Sequence, residues 1–242
     1  MISKAISRTK SFIQYQQANY TFHFNTPIKY FHGDWYVNER IVEIPFVHRH
    51  IDIDGTGKSA LEFGCTRSEL ALQLAALGYD VYGVDLRPYP FMHPNMKLYQ
   101  GNLLDLNDQM EFDLITAISV MEHIGLGVYG ETENYSDLYR ISNKLIEVLK
   151  PGGKLIVTVP IGPALQDKFL RSFRYDDFIL IFSQDNLCLE DERFFCRTDY
   201  KFWQQSDKKY ASNFSNSKSD RGPTGVNFVG CFAWRKMKHG EQ

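Results

Sequence analysis

Between Ser59 and Pro160 the chain alternates short apolar runs with runs of helical periodicity, and few folds accept that alternation. Lys58 to Phe63 reads as a buried strand, and Ser68 to Leu77 as a helix with Leu70, Leu74 and Leu77 on one face. Gly78 is placed to stop that helix in the left-handed conformation. Further strands are expected at Asp80 to Val84, which leads into Asp85, and at Met96 to Gln100, Phe112 to Ile118 and Lys154 to Val159, the last closed by Pro160. A helix capped by Ser136 runs to Leu149 and is broken by Lys150-Pro151-Gly152-Gly153. Strands joined through helices form a parallel sheet with both faces covered.

Beyond Pro160 the pattern changes. A helix is expected at Tyr175 to Phe182, and β-type runs at Leu187 to Cys196 and Val226 to Trp234 suggest an antiparallel hairpin at the sheet edge. The polar stretch Ser206 to Pro223 between them reads as a loop or short helix. Upstream, Asn38 to Ile51 looks like an amphipathic helix kinked where Pro45 starts its second half. The aromatic stretch Tyr30 to Tyr36 offers His32, Trp35 and Tyr36 for stacking on a sugar or ring. The expected fold is therefore α/β and Rossmann-like: a mostly parallel sheet with a C-terminal antiparallel hairpin and helices on both faces. Residues 1–56 form a helical and aromatic extension over the active site, and residues 57–242 the ligand-binding domain.

Composition narrows the function classes. The 242 residues are 43% hydrophobic with 18 Phe and 14 Tyr, enough for a sizeable core. The formal net charge of −2 and the lack of a basic stripe disfavour general nucleic-acid binding. Cys65, Cys188, Cys196 and Cys231 form no CxxC pair and read as reduced structural thiols. No stretch suits a signal peptide or a bilayer span, so a cytoplasmic protein without membrane contact is expected.

The turn after the first strand, Leu61 to Leu72 (LEFGCTRSELAL), is where a ligand would bind in such a sheet. A dinucleotide fingerprint aligned on Gly64 puts Thr66 at the second position and Glu69 at the third, where a charged side chain cannot pack. An NAD(P)-linked oxidoreductase is thereby weakened. S-adenosylmethionine has no pyrophosphate and does not need that third glycine, and Asp85 stands where ribose hydroxyls would be held.

These residues resemble the class I S-adenosylmethionine-dependent methyltransferases over roughly residues 58–160. Glu62-Phe63-Gly64-Cys65-Thr66-Arg67-Ser68 looks like the family's acidic glycine-rich loop, Gly83-Val84-Asp85 like its ribose clamp, and Gly101-Asn102-Leu103 like its adenine-contacting turn. Phe112-Asp113-Leu114-Ile115 and Leu149-Lys150-Pro151-Gly152-Gly153-Lys154 match the fourth strand and the turn before the fifth. The resemblance implies that Glu62, Gly64, Cys65, Thr66, Ser68, Asp85, Leu86, Asn102, Leu103 and Ser119 contact the cofactor. Thr66 and Ser68 replace usual glycines and could donate hydroxyl hydrogen bonds, Cys65 reads as a spacer in the turn, and Asn102 could both accept from and donate to adenine. The substituted loop also keeps open a non-catalytic partner protein on the same fold.

Ser119 to Gly130 follows the fourth strand, and its segment Glu122-His123-Ile124-Gly125-Leu126-Gly127-Val128-Tyr129-Gly130 is similar to a poorly characterised bacterial methyltransferase group, as is Asn38 to Val47. That similarity implies transfer to a glycan or small metabolite. Glu122 and His123 are the candidate catalytic residues, His123 as a base for a hydroxyl acceptor with an ordinary imidazole titration, or both as a structural cap. Small-RNA methyltransferases carry a Glu-x-x-Glu-His metal cluster here, but Ser119 occupies the first of those positions, so no metal is expected.

Overall fold

The structure is a computed structural model that describes residues 28–29, 35–36, 38–198, 202–214, 216, 226–238 and 240. Its strands are β1 Ile28–Lys29, β2 Trp35–Tyr36, β3 Ser59–Phe63, β4 Asp80–Asp85, β5 Met96–Gln100, β6 Phe112–Ile118, β7 Leu149–Pro160, β8 Leu165–Gln166, β9 Arg171–Ser172, β10 Leu187–Thr198, β11 Phe202–Ser206 and β12 Phe228–Lys236. The helices are α1 Arg40–His50, α2 Leu70–Ala76, α3 Asp137–Glu147 and α4 Tyr175–Ile181, with short 3-10 turns at Cys65–Arg67, Leu103–Asp105, Met121–His123 and Lys208–Asn213.

Eight strands form one sheet in the order β11-β10-β12-β7-β6-β3-β4-β5. The pairs β3/β4, β4/β5, β3/β6 and β6/β7 are parallel, while β12 runs antiparallel between β7 and β10. The chain starts at β3 in the middle, winds outward to β5, then restarts at β6 on the other side. That reversal leaves a crevice at the carboxyl ends of β3 and β6. The expected fold class holds, including the late antiparallel pair.

Side chains alternate between the two faces, so each strand feeds two cores. Ala60, Val81, Leu114 and Ile156 pack with Phe46 and Val47 of α1 and Leu70 and Leu74 of α2. Leu61, Ile115, Leu155 and Val157 pack with Leu138 and Leu145 of α3 and Phe178 and Phe182 of α4. On that second face Phe182 lies 4.8 Å from Trp234, which stacks on Phe232 at 5.5 Å between ring centroids.

Several boundaries differ from the sequence reading. The Ser136 hydroxyl makes no cap bond to α3 and donates to Asn134 Oδ1, which also accepts the Ser136 N–H. An Asx turn therefore starts the helix in place of a serine cap. Lys150-Pro151-Gly152-Gly153 lies within the span of β7 as an unpaired insertion, for Phe112 of β6 pairs with Leu149 and Leu114 with Lys154, while Gly152 takes φ +84°. The carbonyls of Ile146, in the last turn of α3, and Leu149, at the start of β7, each accept from Lys236 Nζ at 2.7 Å. Helix α1 runs through Pro45 as one helix, with Pro45 on its exposed side. Gly78 takes φ +94°, and the Tyr79 N–H reaches back to the Leu74 carbonyl, the C-terminal lock expected there. β11 adds an outer strand that the sequence pattern did not suggest. His32 lies outside the described residues, as do the side chains of Trp35 and Tyr36 and residues 215 and 217–223; the earlier part of the polar stretch forms the 3-10 turn Lys208–Asn213.

Helix α1 is fastened by an ion pair rather than by apolar contact alone. Glu43 is fully buried and accepts from Arg40 Nη1 at 2.6 Å, from Ser119 Oγ at 2.7 Å and from Thr158 Oγ1 at 2.7 Å. Removing one partner of such a pair leaves the other charge stranded. Replacement of Glu43 by Ala should lower unfolding free energy by about 3–5 kcal/mol in chemical denaturation, and a loss below about 1 kcal/mol, the surface-pair range, would refute this role.

Candidate active site

The site is assembled from strand ends. At the end of β3, Gly64 sits at φ +80°, and a Cβ there would lie 2.2 Å from Val120 Cγ2. Only glycine fits, because both the left-handed conformation and the approach of the β6 turn exclude a side chain. At the end of β4, Asp85 is 7% exposed and its carboxylate is tightly directed. Oδ2 accepts the Thr66 N–H at 2.9 Å, and Oδ1 accepts the Arg87 N–H at 2.9 Å and Arg87 Nε at 3.1 Å. The Arg87 guanidinium in turn lies 4.0 Å from the Tyr129 ring centroid.

After β5, the Gly101 N–H bonds to the Asp85 carbonyl at 2.9 Å, which brings the next turn against the end of β4. Asn102 Oδ1 accepts the Leu104 N–H at 3.0 Å. Its carbonyl is thus engaged in a helix cap, and Nδ2 remains the atom able to serve a ligand.

After β6 the chain takes a strained step. Ser119 has φ +49°, which costs a non-glycine residue about 1–3 kcal/mol. Its N–H bonds to Thr158 Oγ1 at 3.0 Å and its hydroxyl to Glu43, so both ends of the residue are held. The step leads into the turn Met121–His123. Glu122 is 2% exposed, its Oε2 has no hydrogen-bond partner, and burial pushes its carboxyl well above the usual range. His123 Nδ1 lies 2.6 Å from the Phe169 carbonyl, so Nδ1 carries the proton and Nε2 the lone pair. The rings of Phe169 and Tyr129 meet the imidazole edge-on at 5.0 and 5.7 Å. Burial, with Arg40 and Arg87 adding to it, lowers the imidazole pKa from 6.5 to about 4. The ordinary titration expected of His123 is therefore displaced.

One cleft collects Gly64, Asp85, Leu86, Asn102, Leu103 and His123 of the expected residues, walled by Val120, Tyr129 and Ile141. The others stand behind it. Glu62 is 1% exposed, and its carboxyl is pushed up to about 8, chiefly by burial. Cys65 Sγ fills the space beside Gly83, and burial raises its thiol. The Thr66 hydroxyl donates to the Arg87 carbonyl, and Ser68 Oγ accepts the Leu70 N–H at the start of α2. Neither hydroxyl is left for a ligand, and the Ser119 hydroxyl is held by Glu43. Glu122 supports the His123 turn from below, with its Oε1 4.0 Å from Nε2.

The cleft fits S-adenosylmethionine in kind. Glycine opens the first turn, a directed carboxylate ends the second strand, an amide donor follows the third, and apolar Leu86 and Leu103 flank them. Sequence reasoning missed Arg40, Glu43, Arg87 and Phe169. Arg40 and Glu43 carried a signal, since an i,i+3 charge pair inside an apolar helix is costly unless it is used; a lone aromatic in the later loop carried none.

The displaced imidazole has a thermodynamic consequence. Between pH 6.5 and about 4 the unfolded chain binds a proton at His123 that the folded chain does not, so stability falls as pH drops through that window. Long-range nitrogen–proton NMR should show the Nδ1–H tautomer and a midpoint below 5, within about one unit of the shifted value, and His123→Gln should blunt the acid loss. A midpoint near the free value would contradict the burial argument.

Comparison with known proteins agrees with this geometry. Residues 39–194 match the family described as methyltransferase domain. A probable cobalt-precorrin-6B C(15)-methyltransferase (decarboxylating) of Methanothermobacter thermautotrophicus is 30% identical over 115 residues, 48% of this chain and 57% of that relative, so the match spans little more than half the relative's length. Among solved structures, a 1,6-didemethyltoxoflavin-N1-methyltransferase of Burkholderia thailandensis, bound to 1,6-didemethyltoxoflavin and S-adenosylhomocysteine, superposes with TM-score 0.53 at 14% identity, covering 80% of this chain and 76% of that one. The N-methyltransferase NodS of Bradyrhizobium japonicum, in complex with S-adenosylhomocysteine, gives 0.51 at 14% identity over 83% and 88%. At such identities the superpositions establish the fold. With the family match covering most of the chain, and the sheet order and strand-end cleft in agreement, the chain belongs to the methyltransferase-domain family, of class I architecture.

Proposed function

We propose that this protein transfers a methyl group from S-adenosylmethionine to an oxygen of a small molecule, with His123 taking the acceptor's proton. The observation that carries the reading is the hydrogen bond of His123: the Phe169 carbonyl holds the Nδ1 proton and leaves the Nε2 lone pair on a residue that lines the cleft with Asp85 and Asn102. S-adenosylmethionine, when bound, supplies an electrophilic methyl whose thioether leaving group needs no acid. The work left to the protein is alignment and removal of one proton. Asp85 would accept from the sugar hydroxyls in place of the Arg87 guanidinium, whose Nε and Nη2 now bond to it, Leu86 and Leu103 would flank the base, and Asn102 Nδ2 would donate to it.

The lowered pKa limits the acceptor. A base near pKa 4 stays unprotonated throughout the physiological range but is weak, and it is poorly matched to a hydroxyl whose pKa approaches that of water, about 15.7. A phenolic or enolic hydroxyl, near the tyrosine value of about 10, narrows that mismatch without removing it. An acidic small-molecule hydroxyl therefore suits the site better than a sugar alcohol of a glycan. Among the described residues no helix is long and apolar enough to cross a membrane.

Two measurements test this reading. Asp85→Ala should weaken S-adenosylhomocysteine binding by about 1.5–3 kcal/mol in calorimetric titration with the fold intact; unchanged affinity would remove Asp85 from the site. In assays against a panel of phenols, His123→Ala should cut turnover about 10²–10⁴-fold while leaving S-adenosylhomocysteine affinity nearly unchanged. The wild-type rate should not titrate near pH 6.5, the free imidazole value, because His123 remains neutral there. Full turnover in His123→Ala would reject the base.

A further inference from the structure

We infer that Arg171 recognises an oxyanion on the acceptor, so that the substrate is a small molecule bearing a carboxylate or phosphate; this rests on the methyltransferase reading above. Arg171 opens β9, in the hairpin whose Phe169 carbonyl fixes His123. Its residue is 9% exposed, yet no carboxylate pairs with it among the described residues. Nη2 donates to the Ile124 carbonyl at 2.7 Å, and Ile124 lines the cleft beside His123. Nε is buried and has no hydrogen-bond partner. The guanidinium carbon lies 5.8 Å from the Tyr135 ring centroid, which steadies its plane without neutralising it.

The neighbouring acids are engaged elsewhere. Asp167 Oδ1 accepts the N–H groups of Phe169 and Leu170, Glu131 accepts those of Val128 and Tyr129, and Glu133 accepts the Tyr135 hydroxyl. A guanidinium carries donors on all three nitrogens and presents them as a planar fork that matches carboxylate and phosphate oxygens. Burying one with a single carbonyl acceptor is unfavourable unless a partner arrives. Burial alone pulls its pKa down from the ordinary value, in keeping with a charge that lacks a counter-ion. Ile124, whose carbonyl holds Arg171, lines the cleft, and Phe169, whose carbonyl holds His123, lies in the hairpin of Arg171. An anionic group seated on Arg171 would thus orient the rest of the acceptor across His123.

The test uses the protein loaded with S-adenosylhomocysteine and titrated with benzoate, phenyl phosphate and the neutral benzamide. Wild type should bind at least one anion about tenfold or more tightly than benzamide, and which anion does so separates a carboxylate from a phosphate acceptor. Arg171→Met should bring the anions to parity with benzamide and leave S-adenosylhomocysteine affinity unchanged. Arg171→Lys, which keeps the charge and loses the fork, should retain part of the preference and serves if the methionine variant does not fold. Absence of any anion preference in wild type, or an undiminished preference in either variant, would overturn the inference. Failure to bind S-adenosylhomocysteine would instead overturn the methyltransferase reading, and the anion preference would then be read on the unloaded protein.

Discussion

The buried bond set of Glu43 with Arg40, Ser119 and Thr158 holds the active end of the molecule together. It ties an N-terminal helix to the carboxyl ends of β6 and β7, and it does so with a charge pair placed in a core that is otherwise apolar. Such a pair adds little net stability compared with well-packed apolar residues, but it tolerates few geometries. Its effect is positional. Ser119 is held in a left-handed conformation that it would not adopt alone, and the next three residues are thereby turned over the crevice beside Gly64.

The electrostatics of the cleft follow from that burial. Glu62 and Glu122 lie beneath the site with raised pKa values, so at neutral pH their carboxyls add little negative charge under the ligand. His123 is shifted the other way and is neutral. The acidic side chains lining the cleft are Asp85, directed by Arg87 and Thr66, with Glu131 and Asp137, while the Arg171 guanidinium is held by the carbonyl of Ile124, a lining residue. A floor of neutral acids and a neutral imidazole suits chemistry in which a positive sulfonium becomes a neutral thioether and one proton is lost.

Much of this was legible in the sequence. Strand positions from β3 to β7 followed from apolar runs, and their parallel pairing from the helical runs between them. Gly64, Asp85 and Asn102 stood out because each falls at the end of a strand, where a doubly wound sheet binds its ligands. What was hidden depends on contacts between distant segments. The Thr66, Ser68 and Ser119 hydroxyls looked available, but their partners, Arg87, Leu70 and Glu43, are fixed only by tertiary packing. The ordinary pKa assigned to His123 failed for the same reason, since Phe169, 46 residues later, closes over it. The Lys-Pro-Gly-Gly stretch kept its turn character inside a strand, since Lys150 to Gly153 fall between the paired residues Leu149 and Lys154 and Gly152 takes φ +84°.

A crystal structure grown with S-adenosylhomocysteine tests the central claim most directly. The ligand should lie in the cleft bounded by Gly64, Asp85, Asn102 and His123, with the Nδ1 bond of His123 to Phe169 retained. Density for the ligand elsewhere, or a His123 that has left Phe169 and withdrawn from the cleft, would contradict it.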